Sequence, residues 1–428
     1  MTSQLLQQVR LLDPVSNSDR VVDVLLENGV IHSIAQSISD YPPNTAVLDC
    51  RGLILGPGLV DLYSHSGEPG FEERETLESL VQAAAAGGFT QVVVLPTTAP
   101  AIDHPASVSW VHQRTAELQR AANSPLPTQI SCWAALTLDA KGQQMAELAE
   151  LASTEIVGFA DGRPISNFLL VKRLLEYSKS LNKPVALWPN DLNLAGSGAM
   201  REGLESLHFG LPGIPVMAET APLAGLLECI AEIGTPVHLM RVSTARGVEL
   251  IRDAKRRGIP VTASTSWMHL LLNSTAIATY DPNLHLEPPL GNQVDQEALI
   301  QAVQDGTLDA IAIDHTPHTY EDKTVAFAES PTGAIGLELA LPLLWQALVV
   351  TSGWSPLDLW RSLSTNPQKC LRQAPTTVAP GQPARLTLFD PQKPWFVDDQ
   401  NLRSRSRNTP WIEKEVTGRV VQVWGGDS

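Results

Sequence analysis

The fold class of this chain is indicated first by one stretch, Gly56-Pro57-Gly58-Leu59-Val60-Asp61-Leu62-Tyr63-Ser64-His65. An apolar strand that follows a Pro-Gly turn in this way is typical of the first strand of a (β/α)8 barrel. Alternation along a strand places Tyr63 and His65 on the same face, where two imidazoles would bind a metal ion at the barrel mouth. Tyr63 instead carries a neutral phenol, which is a poor ligand for a divalent ion. The stretch therefore predicts a barrel, but it lacks one of the two imidazoles that would bind a metal ion at the barrel mouth.

From residue 56 onward, short apolar strands alternate with longer amphipathic segments. We predict strands at residues 90–95, 184–188, 236–240, 259–263 and 310–313. Helices are predicted between them, at residues 77–86, 168–181, 222–232, 247–257 and 296–303. Strand and helix repeating over this length predict a parallel sheet of α/β class, closed into a (β/α)8 TIM-type barrel.

The two ends of the chain have a different, β-rich texture. Near the N-terminus, two apolar runs flank Glu27-Asn28-Gly29, and Asn-Gly between strand-like residues predicts a β-hairpin. Strand-like residues return at 381–390 and 416–423. We therefore predict a small β-sandwich domain built from residues 1–55 and 377–428, and a barrel domain spanning residues 56–376.

Composition limits the classes of partner. The hydrophobic content of 43% and charged content of 18% are ordinary for a globular protein. A net charge of −16 argues against nucleic acid or an anionic membrane as a partner. The four cysteines show no Cys-x-x-Cys spacing, and no apolar run is long enough for a membrane span or a secretion signal. We expect a cytoplasmic protein and a homo-oligomer.

A series of short motifs follows in a fixed order, at residues 56–61, 68–72, 84–90, 162–164, 210–215, 242–244, 288–290, 314–318, 333–338 and 406–410. Together they resemble dihydroorotase of the long bacterial type, in the amidohydrolase superfamily, over about residues 10–425. The resemblance implies a zinc-activated hydroxide and reversible ring closure of carbamoyl-aspartate to dihydroorotate. Zinc lowers the pKa of a bound water to roughly 7. The chemistry also requires an aspartate that moves a proton, and cationic or amide groups that hold the substrate carboxylate.

The metal-ligand positions of that family are largely replaced here. His65 is kept, whereas Tyr63, Trp188 and Arg241 stand where the resemblance implies histidines. At the position where the resemblance implies a ligand that bridges two metal ions, the sequence leaves open whether Asp161 or the preceding alanine takes the ligand place. The remnant metal positions are therefore His65, Asp161 and Asp314.

The substrate positions are altered as well. Asp314 and His318 match the catalytic aspartate, here vestigial, and the substrate-side histidine. Gly67 and Gly291, however, replace two arginines expected near the substrate, and the turn at residues 96–100 has lost both asparagines. We predict a substrate-side pocket formed by His318, Arg241, Tyr63 and Trp188.

Arg241 brings a permanent positive charge to a former metal position, near Asp314. We predict an Arg241–Asp314 ion pair in place of the metal centre, because a buried carboxylate without a partner is costly. Tyr63 and Trp188 are bulky enough to fill the space of a metal and its water.

Three functions follow from these replacements. The first is a catalytically inactive dihydroorotase-like protein without a metal cofactor, with a structural or partner-stabilising role in pyrimidine biosynthesis; the resemblance suggests aspartate carbamoyltransferase as the partner. The alternative is an active zinc-dependent cyclic amidohydrolase that holds one ion through His65, Asp161 and Asp314. The third is a metal-free pocket in which Arg241 or Arg163 contacts an anion.

Overall fold

A computed structural model describes residues 3–121 and 126–425, which form two main sheets. The strands are β1 (Ser3–Asp13), β2 (Ser18–Glu27), β3 (Val30–Ala35), β4 (Ala46–Asp49), β5 (Ile54–Pro57), β6 (Leu59–Ser64), β7 (Phe89–Val94), β8 (Gln129–Ala134), β9 (Gly158–Phe159), β10 (Val185–Leu187), β11 (Met200–Arg201), β12 (Gly213–Ile214), β13 (Val237–Leu239), β14 (Val261–Ser266), β15 (Ala310–Ala312), β16 (Leu386–Phe396) and β17 (Glu415–Trp424).

The α-helices are α1 (Leu77–Ala86), α2 (Pro105–Ala121), α3 (Leu148–Ala152), α4 (Phe168–Ser178), α5 (Leu192–Ala195), α6 (Leu204–Phe209), α7 (Met217–Ile233), α8 (Ala245–Arg256), α9 (Trp267–Leu271), α10 (Gln293–Gln304), α11 (Tyr320–Lys323), α12 (Ala340–Leu344), α13 (Pro356–Leu363) and α14 (Thr365–Cys370). A π-helical segment, Trp345–Thr351, continues α12. None of the described helices is long and apolar enough to cross a membrane.

The first sheet combines strands from both ends of the chain, in the order β17-β16-β5-β1-β2-β3, with β4 beside β1. The predicted hairpin is confirmed: β2 and β3 pair antiparallel around Asn28 and Gly29. Both turn residues have positive φ angles, 51° and 76°, as the tight two-residue turn requires. Strand β5 of this sheet ends at Pro57, and the first barrel strand begins two residues later at Leu59.

The second sheet is the predicted (β/α)8 barrel, which is confirmed. Its eight parallel strands run in the order β15-β14-β13-β10-β9-β8-β7-β6. Between the outermost strands, the His65 N–H donates to the His315 carbonyl at 2.8 Å. Small and branched apolar side chains fill the interior, together with Trp133, whose indole N–H donates to the Leu62 carbonyl at 2.8 Å. The interior is therefore packed, and the chemistry must lie at the mouth.

Asp61 provides a second closure between the same strands. Its carboxylate accepts from the Ile313 N–H at 2.8 Å and from the Ser64 hydroxyl, and it has no exposed surface. Burial raises the pKa of Asp61 to about 7, against the hydrogen bonds that lower it. The folded protein therefore holds this proton more tightly than the unfolded chain does.

This raised pKa predicts a pH dependence of stability. The contribution of Asp61 is full below about pH 4, the ordinary range of an aspartate, and is lost as the pH rises to about 7. Asp61→Asn keeps an acceptor for Ile313 and a donor for Ser64, but does not titrate. Urea unfolding at several pH values should show the variant gaining a few kcal/mol on the wild type between pH 4 and 7. Parallel pH profiles for the two proteins would contradict this account.

Candidate functional site

The candidate site lies at the carboxyl ends of the barrel strands, where parallel strands present their loops. Tyr63 is the penultimate residue of β6 and His65 follows that strand, while Trp188 follows β10, Arg241 follows β13, and Asp314 follows β15. The structure brings all five side chains together around the guanidinium of Arg241.

The predicted ion pair between Arg241 and Asp314 is confirmed. Nε and Nη2 of Arg241 donate to the two carboxylate oxygens of Asp314, each at 2.7 Å, which is the bidentate geometry of a strong charged pair. Nη1 donates to the Gly162 carbonyl at 2.9 Å. The exposed fractions of the two side chains are 5% and 12%. Burial acts to lower the pKa of Arg241, but the charge and hydrogen bonds of Asp314 outweigh it and raise that pKa above its ordinary value.

Two aromatic rings enclose the guanidinium. The central carbon of the group lies 4.7 Å from the ring centre of Trp188 and 5.6 Å from that of Tyr63, within cation–π range. Arg241 and Asp314 both adopt left-handed backbone conformations, with φ of 57° and 53°. Such conformations cost about 1–3 kcal/mol each for residues other than glycine, and they cluster at ligand-binding and catalytic sites.

His65 is held neutral by its surroundings. Its Nδ1 lies 3.0 Å from the Thr97 hydroxyl and its Nε2 lies 3.3 Å from Nη2 of Arg241. Burial lowers the pKa of His65 to about 3, and the charge of Arg241 adds to this. Since Nε2 can only accept from a guanidinium, Nδ1 carries the proton toward Thr97. Both ring nitrogens are therefore engaged.

Tyr63 supports the site from below through a chain of hydrogen bonds. Its hydroxyl accepts a hydrogen bond from the backbone N–H of Arg241 at 3.1 Å and lies 2.9 Å from the Ser264 hydroxyl. Ser264 in turn lies 2.9 Å from Nε2 of His238, a residue buried beneath the mouth. Burial raises the pKa of Tyr63, so the phenol stays neutral.

Asp161 does not join the cluster. Its carboxylate accepts hydrogen bonds from the backbone N–H groups of Leu136 and Thr137 and from the Thr137 hydroxyl, at 2.6–3.0 Å. Burial raises the pKa of Asp161 to about 6, against these hydrogen bonds. The Asp161 side chain thus stabilises the loop after β8.

His318 lies in a neighbouring lobe of the mouth, a cavity of about 210 Å³ that it shares with His65 and Arg163. Its Nε2 donates to the Thr332 carbonyl at 2.9 Å, and its backbone N–H donates to the Asn408 side chain at 3.1 Å. Burial lowers the pKa of His318 to about 4. The histidine is therefore neutral and anchored in the loop.

The residues present do not fit a zinc centre. The Arg241 guanidinium bridges His65 and Asp314, two of the three remnant metal positions, and so occupies the place of a cation there. The third position, Asp161, points its oxygens into hydrogen bonds with backbone and hydroxyl groups. No metal-dependent reaction step is therefore assigned to this site.

Both positions where the resemblance implies arginine are closed, by backbone at Gly67 and by the side chain of Asp295 at Gly291. A Cβ atom at Gly67 would lie 2.2 Å from the Glu75 carbonyl oxygen and 2.4 Å from that of Phe71. A Cβ atom at Gly291 would lie 2.5 Å from the Cβ of Asp295. No side chain can be added at either position unless the loop moves.

Sequence reasoning did not find Ser264, which positions Tyr63, or Thr97, which positions His65. A signal for the first was present, because Thr262, Ser264 and Ser266 put hydroxyl groups on one face of a barrel strand. Thr97 carries no such pattern, since it lies in an irregular turn.

Comparison with known structures finds the same fold in hydantoinases and dihydropyrimidinases. L-hydantoinase (dihydropyrimidinase) from Arthrobacter aurescens superimposes with a TM-score of 0.83, at 20% identity, over 100% of this chain and 97% of that chain. Dihydropyrimidinase from Brevibacillus agri superimposes with a TM-score of 0.80, at 19% identity, over 99% and 94%. At these identities the likeness shows the fold alone.

Sequence comparison is more specific. A family model described as dihydro-orotase-like matches residues 52–245. The "Probable dihydroorotase-like protein" of Synechocystis sp. is 44% identical, over 98% of this chain and 99% of that protein. The dihydroorotase of Syntrophus aciditrophicus is 39% identical, over 98% and 97%. The chain belongs to the dihydroorotase-like family of the amidohydrolase superfamily.

The buried pair makes a prediction about stability. Arg241→Met leaves the Asp314 carboxylate buried without a partner and should lower the free energy of unfolding by about 3–5 kcal/mol. The double variant Arg241→Met/Asp314→Asn removes both charges and should recover part of that loss. A double-mutant cycle by urea unfolding measures the coupling.

The exposed pair Arg246–Glu249 on α8 offers a matched control, since each side chain is 59% exposed. Arg246→Met should change the free energy of unfolding by less than about 1 kcal/mol. If Arg241→Met lowered the free energy of unfolding by no more than this, the buried pair would not stabilise the barrel mouth.

Proposed function

We propose that this protein is a catalytically inactive member of the dihydroorotase-like family, with a structural or partner-stabilising role in pyrimidine biosynthesis. The observation that carries the proposal is the buried, bidentate Arg241–Asp314 ion pair at the position of the metal centre. An internal cation there satisfies the carboxylate that a catalytic metal and its water would otherwise use.

Hydrolysis of a cyclic amide needs an activated water and a group that moves its proton. Both oxygens of Asp314 accept from Arg241, and both nitrogens of His65 are engaged. His65 therefore has no free lone pair with which to take a proton from water, and the Asp314 carboxylate is held in the ion pair. The remaining machinery thus stabilises the mouth rather than a transition state.

Substrate anchoring is lost independently of the metal centre. Backbone at Gly67 and the Asp295 side chain at Gly291 leave no room for a Cβ atom, and so for an arginine, in the present loop positions. Thr97 and Ala99 stand where the resemblance implies carboxamides, and the Thr97 hydroxyl is engaged with His65. Two separate losses support the inactive assignment more strongly than either would alone.

The biological role is inferred from the family. Relatives at 36–39% identity over nearly the whole chain carry the name dihydroorotase, which sets the context of pyrimidine synthesis. An intact barrel without a working site is suited to binding a partner, for which we propose aspartate carbamoyltransferase, and to assembly as a homo-oligomer. A cytoplasmic location is part of the same proposal.

The alternative is a one-zinc cyclic amidohydrolase held by His65, Asp161 and Asp314. It would require Arg241 to leave Asp314, and Asp161 to give up three hydrogen bonds. It would also need new anchors for its substrate.

The deciding measurement is the metal content of the purified, untagged protein, together with dihydroorotate hydrolysis with and without added zinc. We expect no stoichiometric metal and no turnover in either condition, because the guanidinium holds the metal position. About one zinc per chain with turnover above background would instead establish the one-zinc enzyme.

Restoring the histidine ligands distinguishes the effect of losing the metal site from the effect of losing the substrate-binding arginine. In the variant Tyr63→His/Trp188→His/Arg241→His, zinc binding should return, measured by competition with a chelator. Dihydroorotate hydrolysis should stay at background, because Gly67 still excludes the arginine anchor. The same variant with Asp314→Ala is the control and should bind zinc more weakly. Full activity from the triple variant alone would show that the anchors are dispensable.

A further inference from the structure

A cavity of about 170 Å³ remains at the mouth above the Arg241–Asp314 pair. Its walls include the indole rings of Trp188 and Trp267, and Arg163, His269 and Glu287 also line it. At about 30 Å³ per water, the volume corresponds to roughly six waters, or to a molecule of about six to ten non-hydrogen atoms.

The charges that face this cavity are arranged unevenly. Arg241 and Asp314 neutralise each other and His65 is neutral, which leaves Arg163 and Glu287. In the described part of the chain, Arg163 is exposed and has no ion pair or hydrogen bond. Glu287 accepts only a long hydrogen bond, at 3.4 Å, from the Thr332 hydroxyl. Arg163 and Glu287 thus line one cavity without forming an ion pair, while burial raises the pKa of Glu287 against the charges of Arg241 and Arg163.

His269 also lines the cavity and carries an unsatisfied acceptor beneath the cavity wall. Only 3% of the residue is exposed, and its Nε2 donates to the Pro288 carbonyl at 3.1 Å. Its Nδ1 therefore carries a lone pair, and that atom is buried without a hydrogen-bond partner among the residues the structure describes. Burial lowers the pKa of His269 to about 4, so Nδ1 stays an acceptor at neutral pH. This atom has almost no accessible surface, so its lone pair contributes to the electrostatics of the cavity wall but does not contact a ligand.

These groups define the polarity of a ligand. A guanidinium at the exposed edge of the cavity matches a carboxylate, and bidentate Arg–carboxylate pairing is the strong geometry. Deeper in the cavity, the Glu287 carboxylate matches a protonated amine. A simple anion would satisfy Arg163 and leave Glu287 with only its long hydrogen bond from Thr332.

We propose that this cavity binds a small zwitterion of the amino-acid class, with its carboxylate on Arg163 and its ammonium group on the carboxylate of Glu287. The proposal rests on the proposed function, because it assumes a mouth in which Arg241 replaces the metal and no ring is hydrolysed. The ligand leaves as it entered, and no bond forms or breaks.

Isothermal titration calorimetry on the purified full-length protein tests this with amino acids of up to about ten non-hydrogen atoms. L-alanine has two matched analogues, propionate without the amine and ethylamine without the carboxylate. At least one amino acid should bind, and its two analogues should bind at least about tenfold more weakly. Arg163→Gln and Glu287→Gln should each weaken binding by about 10- to 100-fold. Arg246→Gln on the outer surface of α8 is the control and should leave binding unchanged.

Three outcomes would overturn the inference. Propionate binding as well as L-alanine would mark a simple anion site. Dihydroorotate binding while every amino acid fails would mark a retained family ligand. No binding by any amino acid up to about 10 mM, above the millimolar Kd of a weak small ligand, would mark an empty mouth.

Dihydroorotate turnover is measured on the same preparation, so the two proposals fail separately. Turnover of dihydroorotate would contradict the proposal that the protein is inactive. An inactive protein that binds no amino acid would contradict only the proposed amino-acid site. Arg163 is exposed, so its replacement tests binding without disturbing the packed interior.

Discussion

The barrel mouth depends on one interaction, the burial of the Arg241 guanidinium against Asp314. Removing two charges from water costs several kcal/mol per ion, and an ion pair recovers this only with good geometry and further hydrogen bonds. Here the bidentate contact, the Gly162 carbonyl and the face of Trp188 together supply that compensation. The pair need not add net stability. Its effect is to specify one arrangement of the four strand ends that meet around it.

A second set of buried polar groups holds the frame of the mouth from outside. Nε2 of His315 lies 3.2 Å from the Glu75 carboxylate, which also accepts from the Arg405 N–H at 2.9 Å. Asn408 donates to the carbonyls of Thr316 and Gly333 and accepts from the His318 N–H. The segment around residues 404–408 thus ties the sheet that includes the C-terminal strands to the loops of the barrel. This frame does not depend on Arg241, Asp314 or His65, so it holds the mouth independently of the groups at its centre.

Much of the architecture was predictable because it follows from local pattern. The Asn28-Gly29 turn requires two positive φ angles, and the barrel strands are short apolar runs with helices between them. The Arg241–Asp314 pair was also predictable, since a permanent cation and a carboxylate end strands that the motifs bring to one mouth. The committed hydrogen bonds of Asp161 were not, because its partners at residues 136 and 137 belong to the preceding strand's loop.

The sequence by itself determined the barrel, the family and the presence of Tyr63, Trp188 and Arg241 at the barrel mouth, because periodicity, motifs and residue identity can be read directly from the chain. Only the tertiary structure decided that Arg241 bridges His65 and Asp314, that backbone fills the space beyond Gly67, and that Arg163 and Glu287 face one cavity unpaired. Those facts depend on distances between groups far apart in the chain. Such distances are set by how the strands close and pack, and no single stretch of residues encodes them.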